Sequence, residues 1–502
     1  MNKFIYTAVI ALMFFNIGCN EDEFLTQVPE DKLTSESYYR NIDDAEAALA
    51  TAYAQLGAAN RWDVSEVNFV VEHFRSDLCK PGPDSWNYPD WSAISTFTNT
   101  DGNSRSTIYW QDAYRGLFHA NQVMEKVAEM TDDKIKPEKR QQIIAEAQFL
   151  RGFLHFRLLN NWEQIIVREK APSSEDELSK GLSTREEAWQ LIEADFMAAA
   201  NDLPEMYDDE NIGRATKGAA IGYLGKAYLY QGKWAEAEME LKKLAVNGVG
   251  NYALVDNYQS LFDGTNENSE EAVFEIQYSA IRSNGRHIGH VLGKFTSPSE
   301  LGGWGNIEAS SKLLDVFKTE GKVASTGKYD SRMYQTIFFN DTDVDVFGYS
   351  YGDWFGEDSE RVILRKYTLS DRPEYDNDPW YSSQNVPVMR YADVLLMYAE
   401  ALNENNKSSE AVTFVNQVRA RADMPALENS LSQGELREKI KHERAVELAY
   451  EGHRFFDLRR WGQSELENAM KSSSKIGAEN FSSALHAFFP IPESEKNTNS
   501  EL

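Results

Sequence analysis

Two short stretches carry the residues in this sequence best suited to chemistry. "DSWNYPDW" gathers Trp86, Asn87, Tyr88, Asp90 and Trp91, and "LGGWGNIE" adds Trp304 and Asn306. A flat indole can cover the apolar face of a pyranose while neighbouring Asn and Asp groups bond its hydroxyls, so this composition points to carbohydrate binding. A ring that removes roughly 50 Å² of apolar sugar surface from water contributes on the order of 1 kcal/mol, whereas association costs several kcal/mol. Any one of these rings alone reads more readily as an anchor for its loop. Two or three of them with fixed polar partners make a site.

Other chemistry is scarce. The chain has no HExxH, GxSxG, P-loop or paired CxxC pattern, and "GGWGN" and "GVGNYA" do not match the dinucleotide fingerprint. His287 and His290 share an i, i+3 spacing but sit among glycines without a matched acid, which reads as plain loop histidines. Asp341, Asp343 and Asp345 match the opening of a calcium loop, yet the sixth position is Val346 and the twelfth Gly352, where that loop needs glycine and glutamate. No metal, cofactor or catalytic residue is therefore expected. A glycosidase acid pair is recognised by its separation in space, so a secreted glycoside hydrolase on a helical scaffold stays open among the 80 acidic residues.

These clusters need a platform, and the periodicity predicts a mainly α one. In "PEKRQQIIAEAQFLRGFLHFRLL", Pro137 signals a start and Ile143, Ala147, Leu150, Leu154 and Leu158 fall on one face. Similar signals occupy about 184–203, 217–246, 388–422 and 433–461. Leu224, Gly225, Tyr228, Gly232, Trp234, Ala237 and Leu241 fit the tetratricopeptide spacing, as do Tyr398, Ala399, Leu402, Ala411 and Val415. Between these repeats the pattern changes. Residues 281–356 hold 11 of the 30 glycines, with short β-like runs such as "EAVFEIQY" and "ERVILRKY" nearby. Seven of the eleven tryptophans (Trp62, Trp86, Trp91, Trp110, Trp304, Trp354 and Trp380) fall in the early stretch and this insertion, where loops rather than repeats are expected.

The chain of 502 residues has 51 basic and 80 acidic side chains, a formal charge of -29, which argues against nucleic acid and anionic lipid as ligands. It starts with MNK and a mostly apolar run from Phe4 to Phe15, an export signal too short for the roughly 20 residues of a membrane span. Ile17, Gly18 and Cys19 then resemble the lipobox of bacterial lipoproteins, although Asn16 stands where that motif carries an aliphatic residue. Cys19 would be the acylated first residue; the alternative is ordinary cleavage beside a free thiol. With Cys19 acylated, Cys79 is left alone and no intrachain disulfide can form. The expected organisation is a signal peptide at 1–18, an acidic tether at 19–37, a helical region at 38–250, a glycine- and aromatic-rich insertion at 251–386 and a helical end at 387–502.

Several stretches together resemble the SusD/RagB family of Bacteroidetes outer-membrane nutrient-binding lipoproteins. They are the Cys19–Tyr53 start, "AEAQFLRGFLHFRLLNNW" (145–162), "PVMRYADVLLMYAEALNE" (387–404), "ERAVELAYEGHRFFDLRRWG" (443–462) and "FFPIPESEKNTN" (488–499). The resemblance implies a tetratricopeptide-like helical-hairpin scaffold with a loop-rich, partly β insertion. It implies no enzymatic activity, an oligosaccharide ligand and a role as a lid on a SusC-like TonB-dependent transporter. Cys19, followed by acids, would be anchored in the outer leaflet of the outer membrane and face outward. Binding through the early loop and the insertion places the ligand at Trp86, Asn87, Tyr88, Trp91, Trp304 and Asn306, with Arg75 and Asp77 as nearby hydrogen-bonding groups. Glu443, Glu447 and Glu451 with Arg454, Arg459 and Arg460 read as ion pairs at a structural helix end. A tetratricopeptide adaptor for peptides is the remaining alternative.

Overall fold

The computed structural model describes residues 38–57, 64–283, 286–368 and 381–502, apart from the side chains of 64 and 280–287. Cys19, the acidic tether, Trp62, Trp380 and the His287 side chain lie outside that set.

The N-terminal half contains helices α1 (Ile42–Ala54), α2 (Val64–His73), α3 (Pro89–Ser95), α4 (Ser104–Ala128), α5 (Pro137–Asn161), α6 (Arg185–Asp202), α7 (Lys217–Tyr230) and α8 (Trp234–Ala245). Local chemistry sets their starts. Asn103 accepts from the Arg105 and Ser106 amides, Thr184 and Glu187 form a capping box, and Pro137 opens α5. After the insertion, which includes α9 (Tyr351–Phe355), come α10 (Tyr391–Glu404), α11 (Ser408–Arg421), α12 (Gln433–Glu447), α13 (Arg454–Trp461) and α14 (Gln463–Lys471).

The helices form one continuous stack: α4 packs on α5, α5 on α6, α6 on α7, α7 on α8, α8 on α10, and α10 on both α11 and α12. Both tetratricopeptide-like pairs are antiparallel hairpins in this stack. Gly225 shows why a small residue is needed, since a Cβ there would lie 2.6 Å from Leu241 Cγ. Tyr398 meets Phe414 edge to face at 4.7 Å in the second hairpin. Helix α5 departs from its one-face expectation. Ile143, Ala147, Leu150, Leu154 and Leu158 are buried, but so are Phe149, Phe153, Phe156, Arg151 and His155, because α5 is covered from several sides by α1, α4, α6 and α7.

The chain leaves the stack after α8 and returns to it at α10. Strands here and near the early loop are short and pair only in twos among the described residues. They are β1 (Cys79–Pro81), β2 (Ala272–Ile276), β3 (Ser279–Ser283), β4 (Arg286–Ile288), β5 (Ile307–Ala309), β6 (Ile337–Phe338), β7 (Asp345–Val346), β8 (Tyr349–Ser350), β9 (Ile363–Leu364) and β10 (Val386–Arg390). All five pairs, β1–β5, β2–β10, β3–β4, β6–β9 and β7–β8, are antiparallel.

Buried ion pairs bind this insertion to the stack. Arg390 at the end of β10 meets Glu447 at 2.9 Å, Glu451 at 2.7 Å and, more closely, Glu271. Arg332 reaches Asp330 and Glu443, both at 2.6 Å, and Glu447 at 2.9 Å; Lys366 reaches Glu451 at 2.8 Å. The structural role expected of Glu443, Glu447 and Glu451 holds, but their partners differ from the expected local ones. Helix α12 ends at Glu447 and α13 starts at Arg454, so the acids turn inward to cations of the insertion and of α11. Arg454 pairs with Asp77, Arg460 with Glu400 and Asp457, and Arg459 with no carboxylate among the described residues.

The close approach of α7 and α8 makes Gly225 a sensitive position. Gly225→Val should lower stability by about 2 kcal/mol through overpacking. Gly434→Ala, in open space at the start of α12, should raise it by about 0.5–1 kcal/mol. Urea unfolding of the two variants checks both signs.

Candidate functional site

The two aromatic clusters meet on one backbone ladder. Helix α2 leads through Arg75–Leu78 into β1, which pairs with β5 in the register Cys79–Ala309, Lys80–Glu308 and Pro81–Ile307. The ladder continues past the strands: the Gly82 amide donates to the Asn306 carbonyl at 2.9 Å, the Asp84 amide to Gly305 O at 3.4 Å, and the Ser85 hydroxyl to Asn306 O. Gly82 is required because a Cβ would collide with the Gly305 carbonyl. The 302–306 loop is itself held from behind. The Trp304 amide donates to Lys294 O at 2.7 Å and the Gly305 amide to Ser297 O at 2.8 Å.

From this base the chain makes a short 3-10 turn, Pro83–Asn87, and enters α3. Trp86 is 43% exposed and Tyr88 47% exposed, Asn87 is exposed, and Trp304 is partly exposed. Trp91 is 4% exposed and lies beneath Tyr88, with ring centroids 4.1 Å apart and planes 18° from parallel. Its other side meets Phe295 edge to face at 5.5 Å, and Arg105 lies 5.4 Å from its ring. Tyr88 is thus an exposed ring backed by a buried one.

Several expected ligand residues instead build the base. Trp91 supports Tyr88 and does not face solvent. Asn306 is 2% exposed and contributes its backbone. Asp77 is wholly buried and ion-paired with Arg454 at 2.9 Å and Lys312 at 2.8 Å; burial would raise its carboxyl, but the two cations overcome this and hold it at about 2. Arg75 is also buried, its Nη2 donating to Asn161 Oδ1 at 2.5 Å between the Phe455 and Phe489 rings. Asp90 accepts from the Ser104 amide at 3.1 Å and fixes α3 to the start of α4. The accessible members of the expected set are Trp86, Asn87, Tyr88 and Trp304.

The structure adds a neighbour that residue type alone did not single out. Helix α9 packs against the 299–301 turn. Arg361 bridges Glu300 at 2.6 Å and Glu308 at 2.7 Å and lies 5.7 Å from the Phe355 ring. Beside it, Tyr349 is 59% exposed and meets Trp354 edge to face at 5.7 Å. The signal was the glycine- and aromatic-rich "FGYSYGDW" just after the aspartates scanned for calcium. Those aspartates shape the turn instead: Asp341 accepts from the Asp343 amide and Asp345 from the Gly348 amide. No group of three or more His, Cys, Asp or Glu suited to a metal occurs among the described residues. His290 is buried, bonded to Gln384 O and the Leu292 amide, and burial lowers its imidazole to about 4. Burial raises the Cys79 thiol to about 12, which makes it unreactive.

Comparison with known proteins matches two family models, "Starch-binding associating with outer membrane" over residues 23–229 and "SusD family" over 270–502. The chain belongs to the SusD/RagB family. A SusD-like protein of Formosa agariphila is 28% identical, with 100% of this chain and 99% of that one covered. One of Bacteroides ovatus is 27% identical, with 92% and 82% covered. Among solved structures, a SusD superfamily protein of Bacteroides vulgatus has a TM-score of 0.81 at 27% identity, covering 92% of this chain and 98% of its own. A protein described as a laminarin-binding SusD-like protein has a TM-score of 0.74 at 25% identity, with the same coverage. The family is one of carbohydrate-binding proteins associated with the outer membrane. No described helix is long and apolar enough to cross a membrane.

In this SusD/RagB chain the stacked pair separates support from contact. Trp91→Ala should cost about 3–5 kcal/mol of stability, whereas Trp86→Ala should stay within about 0.5 kcal/mol of the parent, as read from urea unfolding.

Asp77 adds a pH dependence. Its folded value lies below the ordinary 3.9 or so, so its stabilisation is present above about pH 4 and is lost as pH falls towards 2. Asp77→Asn should lower neutral-pH stability by about 3 kcal/mol by leaving Arg454 and Lys312 without their carboxylate, and should flatten this part of the acid limb. Unfolding midpoints from pH 2 to 7 check both.

Proposed function

We propose that this protein binds a glycan on the face formed by Trp86, Asn87, Tyr88 and Trp304 and delivers it to a SusC-like TonB-dependent transporter, tethered to the outer leaflet through acylated Cys19. The observation that carries the reading is the convergence of two aromatic clusters on one ladder, with Ser85 bonded to Asn306 across 221 positions of sequence. Exposed rings on a rigid base suit a flat, hydroxylated ligand, and each loses little freedom on binding. The laminarin-binding relative supports a sugar as that ligand. Three rings at about 1 kcal/mol each leave weak binding per site, which a polymer offering many equivalent segments strengthens.

The carbohydrate-binding relatives support capture, and Glu300 beside the face is not poised as a general acid. Glu300, an exposed carboxylate on the insertion side, loses some hydration, but its bonds to its own amide and to Arg361 hold it below the ordinary carboxylate range. A general acid for glycoside cleavage needs the opposite shift.

Affinity electrophoresis through gels containing laminarin, starch, fructan or mucin glycans tests the proposal. The parent protein should be retarded by at least one of them, and Trp86→Ala and Trp304→Ala should each weaken retention about tenfold or more, a loss of about 1.4 kcal/mol, without change in fold. Unchanged retention in both variants overturns the site. New reducing ends on incubation with the retarding polysaccharide overturn the binding-only reading.

A further inference from the structure

Beyond the far end of α3 from Trp86, roughly 10 Å along that short helix, lies an open cavity of about 540 Å³. Its walls come from Arg75, Phe97 and Asn99 on one side and the 483–490 segment on the other, with exposed Glu163 at the rim. This volume suits a small ligand of one or two sugar rings.

The wall residue Arg75 is only 2% exposed, yet its Nε and Nη1 have no hydrogen-bond partner among the described residues. Only Nη2 is bonded, to Asn161, while the guanidinium centre lies 4.3 Å from the Phe455 ring and 4.0 Å from Phe489. Two more arginines gather behind the same segment. Arg459 donates to Asn160 O at 2.6 Å and Ala487 O at 3.1 Å; Arg185 donates to Leu159, Trp162 and Glu163 carbonyls. Both lie over Phe488, at 4.3 and 5.0 Å. Among the described residues none of the three forms an ion pair with a carboxylate, whereas the buried Arg332, Arg390 and Arg444 each hold at least two. Burial and mutual repulsion depress Arg75 well below its ordinary range and Arg459 to about 9. In a chain of charge -29, Arg75 is thus a cation of the cavity wall with no ion-paired carboxylate among the described residues, and the acid of that wall is Glu163 at the rim. Asn99, half-buried, lies on the same wall.

We propose that this cavity is a subsite for an acidic sugar unit, whose carboxylate or sulfate group is held by the unpartnered donors of Arg75 with Asn99 beside it. A buried guanidinium without an anion is costly, and a charge-assisted bond to a ligand oxyanion removes that cost at the moment of binding. The assignment rests on the preceding proposal only in taking the ligand to be a sugar. It adds a requirement for negative charge that the aromatic face does not impose.

The test uses calorimetry with neutral, uronate-bearing and sulfated oligosaccharides of equal length. The probes are titrated into the parent protein, Trp86→Ala, Arg75→Gln and Ala484→Trp, in 50 and 500 mM NaCl. Arg75 has no acid partner to orphan, so its variant should fold, as thermal melting will check; Ala484 is an exposed rim residue whose replacement fills the mouth without touching the core. At least one acidic probe should bind ten times more tightly than the neutral one. That preference should disappear in Arg75→Gln and Ala484→Trp and weaken at high salt. Preference for only one acidic probe supports the proposal and identifies the group. Equal binding of acidic and neutral probes, or a preference that survives both cavity variants, overturns it. Acid binding that persists in Trp86→Ala while neutral binding is absent from every form upholds this subsite and overturns the aromatic face instead.

Discussion

The buried ionic cluster at the end of α12 is the constraint on which the other arrangements depend. Glu271, Asp330, Glu443, Glu447 and Glu451 face Arg332, Lys366, Arg390, Arg419 and Arg421, five carboxylates against five cations, nearly all out of contact with water. Such pairs contribute little net stability over a well-packed apolar core, because desolvation offsets most of the attraction. Their effect is on position. The strands of the insertion pair only in twos among the described residues, and a displaced register would leave unpaired charges in a low dielectric. The observed docking of the insertion on the helical stack gives each of the ten groups an oppositely charged partner.

That docking reaches the binding face through a few bonds. Just beyond α12, the Tyr450 hydroxyl bridges Leu78 O and Glu308 O, each at 3.0 Å, and so fastens both strands of the β1–β5 ladder. Arg454 then holds Asp77 immediately before β1. The base beneath Trp86 and Trp304 is therefore fixed by residues far away in sequence, and the rings it carries are pre-positioned. A binder with only a few weak stacking contacts needs this rigidity, since ordering mobile loops would consume the gain from each ring.

This division explains what could be read in the sequence. Helical hairpins are written locally, in periodicity, caps and small residues such as Gly225, so the α scaffold and the repeat-like pairs were legible. The aromatic clusters were legible as residue types, and residues adjacent in sequence must share a neighbourhood. Arg75, Asp77, Trp91 and Asn306 were not legible in the same way. Whether a charged residue points at water or at a partner 377 positions away, as Asp77 does towards Arg454, depends on tertiary pairing that leaves no local mark. Trp91 differs from Trp86 only by its place on α3, where its ring turns inward towards Phe295. Partners of Glu443, Glu447 and Glu451 were missed for the same reason: three glutamates at helical spacing suggest local pairs, and nothing nearby reveals that Arg332, Lys366, Arg390, Arg419 and Arg421 will claim them.

The arginines of the "RFFDLRRW" segment carry the contrast furthest. Arg454 and Arg460 are matched to Asp77, Glu400 and Asp457, as a chain rich in acid readily allows. Arg459, in the same helix, is offered only amide oxygens, and its neighbour Arg75 has two donors with no acceptor among the described residues. The Phe455 and Phe489 rings, 4.3 and 4.0 Å from the Arg75 guanidinium, stabilise its charge but supply no acceptor for Nε and Nη1. A buried guanidinium that the fold packs but does not pair with a carboxylate is suited to an anion that arrives from outside, and the adjoining cavity is where such an anion has room.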